Sequence, residues 1–224
     1  MSLRRSAAAA ICAGNSGNFK FFPVEKILTM GDSVGDKIRG FLFSPTLAFR
    51  RAKDEHPGKT MTYMVVLAVF YSVMSTLLTI LKIFIHPFAE LSLIEPGPAE
   101  PLVIASWLLR ILVLTLALAA VFGLVLHVFV YLAGGRNGVW QTEKSVFYSL
   151  TPMFILGWIP VIGFTVGGIW SLVLGIIGVR ELHGLGDTRA AIAMILAFVL
   201  LLAIAVLTCG DLLLDVASRI QITA

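Results

Sequence analysis

The stretch that decides the fold is Ala190–Cys209, AAIAMILAFVLLLAIAVLTC, twenty residues without a charge, a proline or a glycine. An apolar run of about 20 residues is long enough to carry a helix across the hydrocarbon of a bilayer. Four more apolar runs precede it from Met61 onward, and only Lys82, Arg110 and His127 interrupt them, each near a run's edge. Of the 224 residues 58% are hydrophobic and 13% charged, and the mean hydropathy is +0.94. A water-soluble domain carries about twice that charged share. A water-soluble chain of this composition would expose large apolar patches and aggregate. The expected fold is therefore all-α, a polytopic membrane helix bundle with five transmembrane helices.

Working outward, the spans are expected at about 61–85, 102–132, 145–159, 162–179 and 190–209. His86-Pro87 ends the first, and a Glu-rich connection with Glu90, Glu95 and Glu100 leads to the second. Pro152 lies inside the third. It deprives the Tyr148 carbonyl of its helical donor, a loss that Ser149 or a neighbour would compensate. Spans three and four are short, and the turn Trp158-Ile159-Pro160-Val161 carries no charge, so a re-entrant hairpin is the alternative to two crossings. Residues 211–224, with Asp211, Asp215 and Arg219, read as a short polar tail.

Residues 1–40 read as a flexible N-terminal region. Arg4-Arg5 before Ala7–Ala13 loosely resembles a signal peptide, but Gly14-Asn15 cuts the apolar run short. Met30 is an alternative start. From Phe41 the membrane domain begins, extending to 210. Ser44 suits an N-cap and Pro45 the first helical position. A short helix 45–55 then follows, expected in the headgroup plane with Phe41, Phe43 and Phe49 dipped into lipid.

Orientation follows from the basic residues. Of the seventeen Lys and Arg, ten precede Met61. Arg136, Lys144, Arg180 and Arg189 fall in loops on the same side, and the opposite side holds Arg219 alone. By the positive-inside rule the chain is a multi-pass protein of the cell membrane, N-terminus cytoplasmic and C-terminus extracytoplasmic. The net charge of +4 therefore points to anionic lipid and to topology, not to nucleic acid. Cys12 and Cys209 fall on opposite sides, so no disulfide is expected. No metal-ligand spacing occurs, and no cofactor is implied.

Three features bear on function. Gly163, Gly167, Ser171 and Gly175 recur every four residues, a helix-packing stripe that lets another helix approach closely. It suits packing within the chain against span three or five, or self-association. His183 and Asp187 are four apart in a charged loop, yet Gly184 and Gly186 between them argue against a shared helical face. A nucleophile and base in mutual reach, which catalysis would need, is not evident. The midpoints of the spans carry no ionisable group, which counts against an ion- or proton-coupled carrier.

The order of short motifs resembles the Yip1-domain family of small five-span membrane proteins. The motifs are Phe43-Ser44-Pro45 with Phe49 before span one and Tyr148-Ser-Leu-Thr-Pro152 in span three. They continue as Ile159-Pro160, a Gly-rich span four with Trp170, Gly178-Val-Arg-Glu-Leu-His183, and Arg189-Ala190 opening span five. The resemblance covers roughly Phe41 to Leu196 and brings no catalytic residues with it; the expected function is that of a non-enzymatic protein organising membrane or partner proteins. The eukaryotic members' long N-terminal domain is missing here, so the chain looks like the prokaryotic type and GTPase binding is not carried over. The implied partners are the bilayer and other membrane proteins, or a second copy. The rival expectation is a small permease or channel with a pathway along the Pro152-kinked third and Gly-rich fourth spans.

Overall fold

Proline and glycine set the boundaries of almost every element in the computed structural model, which describes residues 33–80, 101–159 and 161–222. The expectations for the signal-like segment, Cys12, Met30, Lys82 and the Glu-rich connection lie outside the described residues. Among those described there are eight helices and no strand: α1 Val34–Phe43, α2 Pro45–Ala52, α3 Pro57–Ile80, α4 Pro101–Leu132, α5 Val139–Ser149, α6 Thr151–Leu156, α7 Ile162–His183 and α8 Asp187–Ile222. Three of them open on proline, whose missing N–H is no loss at a first turn. Ser33 caps α1: its Oγ accepts the Asp36 N–H at 3.2 Å and donates to the Asp36 carboxylate at 2.8 Å. Gly184 ends α7 in the left-handed region at φ +69°, donating its N–H to the Arg180 carbonyl at 2.8 Å.

Among the described residues four helices are long and apolar enough to cross a membrane: Pro57–Leu78, Pro101–Leu132, Thr165–His183 and Asp187–Leu207. The third expected span, 145–159, is not among them. In its place stand α5 and α6, divided at Leu150, because Pro152 occupies the second position of α6 and cannot donate to Tyr148. The orphaned Tyr148 carbonyl accepts instead from Thr151 Oγ1 at 2.7 Å, while Ser149 Oγ donates to Val146 at 2.8 Å.

Two further expectations change. The region read as flexible up to residue 40 contains α1, and the segment read as a polar tail from residue 211 continues α8 to Ile222. At 1.5 Å per residue α8 is about 54 Å long, well beyond the hydrocarbon thickness.

The core is asymmetric. Helix α5 is buried along Thr142–Ser149 and packs on α7, α4 and α3. Helices α4 and α8 instead turn Leu109, Val113, Leu118, Ile195, Val199 and Leu202 outward. Apolar side chains on the periphery and polar ones in the centre suit a bundle whose solvent is lipid.

Candidate functional site

Three charged segments far apart in sequence meet at one end of the bundle: Lys37–Lys59, Gly135–Lys144 and Arg180–Asp187. Their joint is Lys144. It is 2% exposed, and its Nζ donates to the carbonyls of Ala52 at 3.1 Å, Lys53 at 2.9 Å and Glu55 at 2.6 Å. Those carbonyls are the C-terminal end of α2 and the turn after it, where a helix leaves acceptors unpaired and carries partial negative charge. An ammonium group with three donors matches that need. The sequence reading placed Lys144 in a loop; the helix begins at Val139 and takes Lys144 and its neighbour Glu143 inside.

Around this joint lies an aromatic cluster. Phe41 stacks on Tyr148 with ring centroids 4.4 Å apart and meets Phe49 edge-on at 5.0 Å; Tyr63 lies 5.2 Å from Tyr148. The Tyr148 hydroxyl donates to the Glu55 carboxylate and lies 3.2 Å from Thr60 Oγ1. Lys37 pairs with Glu55 and sits over the Tyr63 and Tyr148 rings at 5.8 and 5.7 Å. Phe41 and Phe49 are thus buried in the protein, not dipped into lipid as expected, and only Phe43, 81% exposed, is left facing outward.

What lets Phe49 in is Gly178 of α7. A Cβ there would lie 2.9 Å from two carbons of the Phe49 ring and would overlap Ser145 Oγ. Outside this seam α2 and α7 are tied by charge. Arg50 Nε donates to Glu181 at 2.7 Å, and Arg180 reaches Glu181 at 2.9 Å and Asp187 at 2.8 Å.

A second polar chain threads α4, α5 and α7. His127 Nδ1 lies 2.8 Å from Thr142 Oγ1, which lies 2.9 Å from His183 Nε2. One hydroxyl has one proton to donate, so at least one of the two imidazoles must present N–H to it. Thr142→Val leaves both imidazoles without this partner in the interior and is expected to lower stability by about 1–3 kcal/mol. Thr142→Ser should retain most of it, and thermal unfolding in detergent measures both.

The residues singled out from sequence separate into two groups. Gly163, Gly167, Ser171 and Gly175 are all buried on one face of α7. A Cβ at Gly163 would lie 2.8 Å from Ile159 Cβ, and one at Gly167 3.1 Å from the Pro152 carbonyl. At Gly175 it would press on Met194 of α8, with Sδ 3.3 Å away, and lie 3.7 Å from Ser149 Oγ. His183 and Asp187 are not brought together. His183 turns inward to Thr142, Asp187 is exposed and takes Arg180, and no hydrogen bond or ion pair joins them among the described residues. Arg136 is exposed and lies over the Tyr131 ring at 3.8 Å.

Sequence reasoning missed Lys144, Thr142 and Glu55 as a structural centre. The available signal was the pair Glu143-Lys144 abutting a run, Ser145–Tyr148, that is continuous with it in helical phase.

The family model described as Yip1 domain matches residues 39–208. No curated protein and no solved structure matches the chain. The matched region contains the Lys144 joint, the aromatic cluster, the Gly-rich helix and all four candidate spans up to Leu207. With the model covering most of its length and apolar helices built for lipid, the chain is a multi-pass membrane protein that belongs to the Yip1 family.

Proposed function

We propose that this protein is a non-enzymatic organiser of the cell membrane, using its basic end to hold partner membrane proteins or anionic lipid. In this reading α5 and α6 together make the third of five crossings, placing the N-terminus in the cytoplasm and the C-terminus outside. The observation that carries it is the convergence of the three basic segments on one end, consistent with the positive-inside rule. Arg50, Arg51, Lys53, Arg136 and Arg189 are all exposed, and they surround a polar interior whose groups bond mainly to one another. Such a rim suits attraction to acidic headgroups and to acidic segments of neighbours. The stripe Gly163, Gly167, Ser171 and Gly175 serves packing inside the chain. The close seam of α6 on α7 at Gly167 and Pro152 favours this reading over a solute pathway along the same seam.

Crosslinking in native membranes from engineered cysteines at Arg51 and Arg136, each in a background lacking Cys12 and Cys209, tests it. The expected result is capture of a defined protein or anionic lipid from the cytoplasmic side, with a tag at Ala224 reached only from outside. Saturable solute flux into vesicles containing the purified protein would overturn it in favour of a permease.

A further inference from the structure

Adjacent on α5, Glu143 and Lys144 are both buried but have opposite surroundings. Lys144 is saturated by three carbonyls. Glu143 is 7% exposed and forms neither a hydrogen bond nor an ion pair among the described residues; its Oε2 is an unpartnered interior acceptor. The carboxyl group is seated against α4 where Gly123 leaves a notch: a Cβ at Gly123 would overlap it, with Oε1 only 2.6 Å away. Any larger residue at 123 would expel the carboxyl group, so the glycine and the acid fit as a pair.

The ionisable groups on the elements around α5 are committed elsewhere. On α4, His127 lies one turn from Gly123 and holds Thr142. On α7, His183 holds the same Thr142, while Arg180 and Glu181 engage Asp187 and Arg50. On α3, Tyr63 bonds Thr151, and Lys59 stands at the exposed start of the helix. In the turn after α2, Glu55 takes Lys37 and Tyr148, while Lys53 and Asp54 are exposed. None forms an ion pair with Glu143.

We propose that Glu143 is a proton-binding site of the bundle, a carboxyl group whose ligand is the hydrogen ion and whose neutral form fills the Gly123 notch. A carboxylate in such surroundings would lack both water and a counter-charge, whereas the neutral acid fits without either. Losing the proton favours withdrawal of the group from the notch, so proton binding is coupled to the α4–α5 contact one helical turn from the basic end.

The test is reaction of the full-length protein in liposomes with the apolar reagent dicyclohexylcarbodiimide. The carboxyl O–H adds across one C=N bond, the proton going to nitrogen and the oxygen to carbon, and rearrangement leaves a stable acylurea with no group lost. Peptide mapping is expected to place the adduct on Glu143. Its rate should fall about tenfold per pH unit once the acid ionises. Glu143→Gln, which mimics the neutral acid, should abolish the adduct while keeping the thermal midpoint of the wild type at neutral pH. An unreactive Glu143, a rate independent of pH, or protection by sodium ions would overturn the proposal. So would a large drop in the midpoint of Glu143→Gln, since that would reveal a charged partner. These outcomes do not depend on whether the basic end binds partners.

Discussion

Replacing Lys144 with methionine is expected to destabilise the protein by about 3–5 kcal/mol, the range for removing one member of a buried charged network. Methionine fills the same volume and is more apolar, so the loss isolates the ammonium group. Three carbonyls at the end of α2 and in the turn after it would lose the ammonium donor, Ala52 keeping the Glu55 N–H and Lys53 the Gln141 amide. The turn 52–56 should open first, because its remaining tie to α5 is the Gln141 side chain on the Lys53 carbonyl at 3.1 Å together with Tyr148 on Glu55. Limited proteolysis should therefore cut near Lys53 in the variant and not in the wild type, alongside a lowered thermal midpoint in detergent. Lys144→Arg tests the geometry. A planar guanidinium aims its donors in a fixed fork and does not satisfy three carbonyls that converge on one point, so it should restore only part of the loss. Full stability in Lys144→Met would show that the carbonyls find other donors.

Phe49→Ala comes second, with an expected cost of about 3–5 kcal/mol for a large aromatic side chain removed from a closed core. Phe49 is fully buried, meets Phe41 and Tyr148 ring to ring, and fills the space that Gly178 leaves on α7. The converse change, Gly178→Ala, pushes a methyl group into the Phe49 ring and Ser145 and should cost about 1–3 kcal/mol by overpacking. These two positions touch, so their effects are not expected to add. In a Phe49→Leu background Gly178→Ala should cost clearly less than alone, and a double-mutant cycle of unfolding midpoints reads the coupling. Strict additivity would mean that α2 does not dock on α7 through this seam.

Much of the architecture was legible from local pattern. The run Ala190–Cys209 forms part of α8, the run through Leu132 ends at Gly134-Gly135, and Pro45 opens a short helix, because hydropathy, proline and glycine act on the chain where they stand. The break at Pro152 and a neighbour's rescue of the Tyr148 carbonyl follow from the same local chemistry. For Gly163, Gly167, Ser171 and Gly175 the spacing of four suggested packing against span three or five, or self-association; Gly167 lies against Pro152 and Gly175 against Met194. The site was far less legible. A charge beside an apolar run reads as a loop end, and nothing near Lys144 in the sequence announces acceptors waiting for it.

From the sequence alone come the solvent, hydrocarbon, the approximate places where the chain crosses it, and the asymmetry of its basic residues, since each depends on a window of about 20 residues. The tertiary structure decided that Lys144 closes a turn 89 to 92 residues earlier, that Phe41 and Phe49 face protein and not lipid, and that Glu143 meets a glycine on another helix. Those outcomes depend on which polar groups remain unpaired once the helices have packed. That is a property of the assembled bundle, and no window of the chain contains it.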